Sequence, residues 1–255
     1  MRFKVEHYKK ILSKLRSNNK FFKVFYELLS GLPSINYSEI NESIIHKLVG
    51  KDNPTIIEIG CNDGNSTLWF FEVFKNPQVF CFEPDPRAIE RFKKKVGQHP
   101  NIQLFEIAIS DKNGEIDFYQ SSGKIIIEQY PTLPEDWDLS GSIRQPKEHL
   151  TQHPFVKFNK KIKVQTSTLD NWCHEHRIRM IDFIWMDVQG AEIDVFRGAR
   201  NILKKTRFIY FEYSKVELYQ GQFNLKKLMK YLKYFEIILR YPGDVLLRNI
   251  KNTIL

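Results

Sequence analysis

Ile56–Thr67 reads IIEIGCNDGNST: an apolar run that halts at Gly60, a second glycine four positions on, then small polar residues. Thr55–Gly60 has the look of a strand. Asn65, Ser66 and Thr67 suit the opening of a helix, where short polar side chains satisfy free N–H groups. Glycine at a strand's end permits a tight turn and lets a ligand approach the backbone. The loop Gly60-Cys61-Asn62-Asp63-Gly64 is therefore expected to curl beneath a ligand, with Ser66 and Thr67 beside it as further cofactor-binding candidates. In doubly wound sheets ligands bind beyond the carboxyl ends of the strands.

Outward from this loop, short apolar runs alternate with amphipathic ones. TIIEIG, QVFCFE, NIQLFEIAIS, MIDFIWMDV and RFIYFEY are strand candidates. NSTLWFFEVFK, DPRAIERFKKKV, AEIDVFRGARNILKK and FNLKKLMKYLKYF are helix candidates. Such alternation predicts βαβ units and a largely parallel sheet, and continuous apolar strands predict helices on both its faces. EIILRY and DVLLRNI flank the turn Tyr-Pro-Gly-Asp, so the last pair is expected to be antiparallel. Residues 1–50 read as a helical extension. Tyr8, Ile11, Leu12 and Leu15 recur at helical spacing, FFKVFYELL stops at Gly31-Leu32-Pro33, and NESIIHKLVG stops at Gly50. Residues 51–255 form the α/β domain. Within it residues 121–163 break the pattern with Pro, Ser, Gly and His, and are expected to form a lid or acceptor-binding insertion.

The dinucleotide fingerprint needs glycines at positions 62 and 65, which are Asn62 and Asn65, and a phosphate loop is absent. The loop thus suits a nucleoside without a pyrophosphate. Glu83 ends the next strand, where an acid accepts from both ribose hydroxyls. Ribose recognition without phosphate recognition points to S-adenosylmethionine. Glu58 and Asp63 are expected near its cationic end.

The chain of 255 residues, with 42% hydrophobic and 14% aromatic content, has a globular composition. Its three cysteines are too few for a disulfide framework, and a reducing cytoplasmic compartment fits best. No apolar run approaches the ~20 residues of a membrane span, and no secretory leader is evident. A net charge of +9 favours anionic partners such as nucleic acid, phosphorylated sugars or a membrane surface, and solubility is its plainer reading. Oligomeric state is open.

IIEIGCNDGNST, VFCFEPDPRAIERF, IAISDKNGEIDFY, TSTLDNW and IDFIWMDVQGAEIDVFRGA together resemble the FkbM family of S-adenosylmethionine-dependent methyltransferases. The resemblance runs from Thr55 to Tyr213, and MDVQGAEIDVFRGA is its most specific block. It implies a Rossmann-like, seven-stranded, mostly parallel sheet with an antiparallel last strand. It also implies O-methyl transfer to a hydroxyl of a sugar, glycan or other small acceptor. By resemblance, Glu58, Gly60 and Gly64 match the cofactor loop and Glu83 the ribose acid. Pro84 shapes the adenine pocket, Ala108, Ile109 and Ser110 pass the adenine edge, and Asp187 sits near the methyl group. Gln189 stands where the family often has Glu, and Trp185 where a smaller or basic residue is common.

A hydroxyl that attacks a methyl sulfonium must lose its proton. Asp187, Glu192 and Glu212 are the candidate bases. Asp187 can equally orient the ligands, and Glu192 can equally serve as the helix-terminal charge favoured by the macrodipole. His149 and His153 lie in the expected lid, where either could serve as a base or a phosphate contact; a surface position is the plainer reading of both. Cys173-His174-x-His176 lacks a fourth ligand in register, so no metal is assigned there. A divalent ion between Asp187 and Glu212 would want a third partner that the sequence does not show. The alternatives are an RNA methyltransferase, which the charge suggests but no RNA-binding module supports, and a non-catalytic module of the same fold, against which Glu58 and Glu83 argue.

Overall fold

The computed structural model describes residues 33, 35–36, 40–123 and 136–251. The helical runs expected at Tyr8–Leu15 and in FFKVFYELL lie outside these residues. The described chain enters α1 (Glu42–Val49), whose start is capped by Asn41 and whose end is Gly50 in the left-handed region. The stop signal read at Gly50 therefore marks a real helix terminus.

Seven strands build the main sheet. They are β1 (Thr55–Ile59), β2 (Gln78–Phe82), β3 (Ile102–Phe105), β7 (Ile181–Met186), β8 (Thr206–Glu212), β9 (Phe235–Arg240) and β10 (Asp244–Asn249). Their order is β3-β2-β1-β7-β8-β10-β9. β1 pairs in parallel with both β2 and β7, and β10 runs antiparallel between β8 and β9. The expected antiparallel last strand is thus present. It is inserted one place in from the edge.

The apolar strands feed two cores, one on each face. Ile57, Phe80 and Ile184 pack with Trp172, Ile193, Phe196 and Leu228. Their strand neighbours Ile56 and Phe183 pack with Ile45, Phe70 and Phe92 on the other face. Alternate residues of one strand serve opposite cores, which is why these strands carry no polar face. The covering helices are α2 (Asn65–Val73), α3 (Pro86–Val96), α5 (Leu169–Glu175), α6 (Glu192–Arg197) and α7 (Leu225–Met229). Asp85 caps α3 by accepting from Arg87 N at 3.0 Å, with Pro86 opening the first turn.

Three expectations are corrected. NIQLFEIAIS, expected as a strand with its exit loop, holds a second strand in that loop: β3 ends at Phe105, and β4 (Ala108–Ile109) crosses into a second sheet. That sheet, ordered β4-β6-β5, adds β5 (Gly114–Ser122) and β6 (Lys157–Ser167), so the expected insertion ends in a strand. It also holds the short helix α4 (His149–Gln152). AEIDVFRGARNILKK breaks at Gly198, where a β-carbon would stand 2.0 Å from the Ser110 carbonyl oxygen. After that close approach the chain resumes as a 3-10 turn over Ile202–Lys205. FNLKKLMKYLKYF keeps only the five residues of α7.

Candidate active site

The carboxyl ends of β1, β2, β7 and β8 open into a cavity of about 450 Å³. This lies within the range of small-ligand sites. Its floor comes from Gly60, Asn62, Glu83, Pro84, Asp187 and Glu212, and Ile107, Ala108 and Ile109 form an apolar wall. Its roof comes from the insertion: Trp137 to Ile143, His149, His153, Phe155 and Val156.

The two loop glycines are required by the protein's own packing. Gly60 has φ +84°, and a β-carbon there would stand 2.0 Å from the Asp187 carbonyl oxygen. The exits of β1 and β7 therefore touch through it, and Asp187 N donates to Ile59 O at 2.9 Å. Gly64, also at φ +84°, caps α2 and lies against Val96 and Phe92 of α3. No side chain fits either place.

Glu83 stands where the sequence put it. It is nearly buried, and its two oxygens accept from Asn62 N at 2.9 Å and Asp85 N at 2.8 Å. Burial pushes its carboxyl up to about 7, against those two N–H groups. Each oxygen keeps a lone-pair direction beyond its backbone bond.

Several residues expected at the ligand do not reach the wall. Glu58, Cys61 and Thr67 are buried beneath the loop. Thr67 Oγ1 donates to Glu58 Oε2 at 2.5 Å, and burial pushes Glu58 up to about 8. Glu58 therefore offers no carboxylate to a cationic ligand. It ties α2 to β1 instead. Asp63 turns outward to Lys95 at 2.5 Å and to Asn65 N at 3.2 Å. Gly64 and Ser66 belong to the start of α2, off the wall. Ser110 is buried next to β4, its hydroxyl without a partner among the described residues. Glu192 is buried and curls back to accept from Gly190 N at 3.1 Å, with burial raising it to about 7. Glu192 thus stands at the start of α6 with its carboxyl turned back on the Gly190 N–H, and burial works against a charge there.

The remaining two acids are joined by a residue that the sequence singled out only as a departure. Gln189 Nε2 donates to Asp187 Oδ1 at 2.6 Å and to Glu212 Oε2 at 3.1 Å. Gln189 itself sits at φ +51°. Its Oε1 lies 3.1 Å from the hydroxyl of buried Tyr219, which also donates to Ser140 O at 2.8 Å. Ser142 Oγ donates to Gln189 O at 2.8 Å. The turn after β7 is thus fastened to the roof. Arg144 locks the roof further, with Nε and Nη2 on the Asp194 carboxylate at 2.7 and 2.8 Å.

Sequence reasoning missed Tyr219, Ser140 and Ser142 because nothing in their neighbourhood repeats or alternates. It read His149 and His153 as surface residues. Instead both line the cavity, with ring centroids 4.7 Å apart and both Nδ1 atoms without a partner among the described residues. Burial pushes His149 down to about 4. Among the described residues no group of three or more His, Cys, Asp or Glu side chains is arranged to hold a metal ion. No helix among them is long and apolar enough to cross a membrane.

Residues 58–239 match the family model described as the methyltransferase FkbM domain. The chain is 49% identical to 2-O-methyltransferase NoeI of Sinorhizobium fredii, over 81% of this chain and 84% of that protein. It is 23% identical to Methyltransferase 1 of Beauveria bassiana over 58% of this chain and 59% of that one. Among solved structures, N-methyltransferase NodS of Bradyrhizobium japonicum in complex with S-adenosyl-L-homocysteine aligns with a TM-score of 0.43 at 12% identity. That alignment covers 82% of this chain and 85% of NodS.

Proposed function

The chain belongs to the FkbM methyltransferase family and is an S-adenosylmethionine-dependent methyltransferase. From that premise we propose that it methylates a hydroxyl of a sugar, glycan or other small acceptor held under the roof formed by residues 137–156. The observation that carries the proposal is the pair Asp187 and Glu212, bridged by Gln189 on the cavity floor. The relative named a 2-O-methyltransferase supports oxygen as the receiving atom.

The residues present fit the cofactor. Glu83 keeps lone pairs for ribose hydroxyls. Pro84, Ala108 and Ile109 offer an apolar slot for a base. Asn62 holds the loop on Glu83, and Gly60 keeps the floor low. Asp187 and Glu212 place negative charge where a cationic centre is favoured. When bound, S-adenosylmethionine supplies a methyl group on a positive sulfur, open to in-line attack by oxygen.

Asp187 then takes the acceptor's proton. Its Oδ1 is occupied by Gln189, and its Oδ2 accepts from none of the described residues. Gln189 fixes the carboxyl plane, so the base is held before the acceptor arrives. Alignment of this kind supplies much of a transfer rate. The roof excludes water through its apolar side chains Trp137, Leu139, Ile143 and Phe155. His149 and His153 present ring nitrogens from the opposite side, toward an acceptor rich in hydroxyl groups. The same proposal takes residues 51–255 as the transferase domain, residues 1–50 as an extension, and the cytoplasm as the working compartment. The charge of +9 favours an acceptor or carrier bearing anionic groups.

The test is calorimetric titration with S-adenosylmethionine and S-adenosylhomocysteine. Transfer of a tritiated methyl group to a panel of glycans, nucleotide sugars and RNA then follows. Label on a hydroxyl of a small acceptor supports the proposal. Label on RNA alone would overturn it.

A further inference from the structure

The insertion was expected to serve the acceptor, yet its first described stretch is clamped to the cofactor side. Asp138 is paired with Arg91 of α3, and Arg91 Nη2 also lies 3.4 Å from Asn62 Oδ1 in the cofactor loop. Two residues earlier, Asp136 accepts from Arg87 Nη1 at 3.1 Å. Arg87 also grips Asp85, beside Glu83, at 2.7 Å. The roof therefore descends onto the helix that follows the ribose acid.

Asp138 is 4% exposed and lines the cavity. Arg91 engages its Oδ2, while its Oδ1 is buried with no partner among the described residues. A carboxylate oxygen buried without a donor is costly, and such atoms call for an explanation. The other buried carboxyl oxygen in this position is Glu58 Oε1, which lies beneath the loop and off the cavity wall. Asp138 is also close enough to Glu83 and Asp85 to feel their charge. Three acids thus converge on one end of the cavity, and of the three only Asp138 has a buried oxygen with nothing to accept among the described residues. The ligand chemistry that fits is a pair of neutral hydroxyl donors.

We propose that Asp138 is a second ribose-recognition residue. It accepts a hydrogen bond from a ribose hydroxyl of the bound nucleoside opposite Glu83, so the insertion completes the cofactor site from above. The proposal rests on the cofactor reading given above. It makes the roof a part of nucleoside recognition, with Arg91 as the clasp that positions it.

The experiment is calorimetric titration of the full chain with S-adenosylhomocysteine and with its 2′,3′-dideoxy analogue. Asp138→Ala is expected to weaken S-adenosylhomocysteine by about 10- to 150-fold, the loss of one hydrogen bond to a charged group. It should leave the dideoxy analogue within about threefold of wild type, since that ligand has no hydroxyl to lose. Asp138→Asn keeps the shape and an oxygen for Arg91, and covers a failure of the alanine variant to fold. It is expected to show the same selective loss. Equal losses for both ligands would make Asp138 a structural clasp only, and unchanged affinity for S-adenosylhomocysteine would remove it from the site. Either result overturns the proposal while leaving the cofactor reading intact. Absence of binding by the wild type overturns the cofactor reading and the proposal with it.

Discussion

A β-carbon on Gly60 would lie 2.0 Å from the carbonyl oxygen of Asp187, so the cofactor loop and the proposed base are in direct backbone contact. Gly60→Ala is therefore expected to lower stability by about 2–4 kcal/mol, from strain at φ +84° and from pushing the two strand ends apart. Urea denaturation measures this without any ligand. A variant as stable as wild type, with only cofactor affinity lost, would mean that the contact gives way and that the glycine serves the ligand alone.

Asp187→Asn keeps the shape of the floor and removes the base. Turnover is expected to fall by about 10²–10⁴-fold, with the dissociation constant of S-adenosylhomocysteine changed by less than about threefold. Single-turnover transfer and calorimetry separate the two. A large loss of affinity with turnover kept would make Asp187 a cofactor ligand.

Glu58 titrates at about 8 in the folded protein against an ordinary value of 4.5. Its folded value is the higher, so the folded state holds a proton that the unfolded state has released. The stability this group contributes is fully present below about 4.5 and is lost as pH rises through about 8. Glu83 and Glu192, at about 7, act in the same direction. Glu58→Gln is expected to gain stability relative to wild type between pH 6 and pH 8.5. Melting curves of both proteins at the two pH values measure it. A constant difference would show that Glu58 ionises in the fold without penalty.

His149 titrates at about 4, below its ordinary 6.5, so the folded state resists a proton that the unfolded state takes up. Its contribution to stability is present above about 6.5 and is lost as pH falls toward 4. His149→Gln should flatten the acid side of the stability profile. It should also raise KM for the acceptor while leaving S-adenosylhomocysteine affinity unchanged, because the imidazole lines the roof of the cavity, under which the acceptor is proposed to bind. An unchanged KM would remove His149 from acceptor binding.

The main sheet was legible because its strands are apolar on both faces, as Ile56 and Ile57 show by serving opposite cores. Glu83 was legible because it ends such a strand. The β5–β6 ribbon was not. In KFNKKIKVQTS only Val164, Thr166 and Ser167 are buried, and exposed lysines fill much of the rest. A strand so half-solvated has no continuous apolar run to betray it. Glu58 misled for a related reason. Its charge suggested a ligand, but its place inside a strand put it under the loop, where burial holds the proton on. The roof residues Asp138, Ser140, His149 and Tyr219 are scattered along the chain and meet only in three dimensions.

The neighbours of β1 are made at very different times. Its link to β7 joins Thr55 to Asp182 across 127 positions, and the floor needs Asp187 pressed against Gly60. Such distant pairings form late and lengthen the search for the fold. On the ribosome, a chain that has emerged only through β6 already carries the glycine loop and Glu83, yet lacks β7, the strand against which the glycine loop is set. The first 167 of 255 residues therefore hold the glycine loop and Glu83 but neither of the floor's two bridged acids, Asp187 and Glu212.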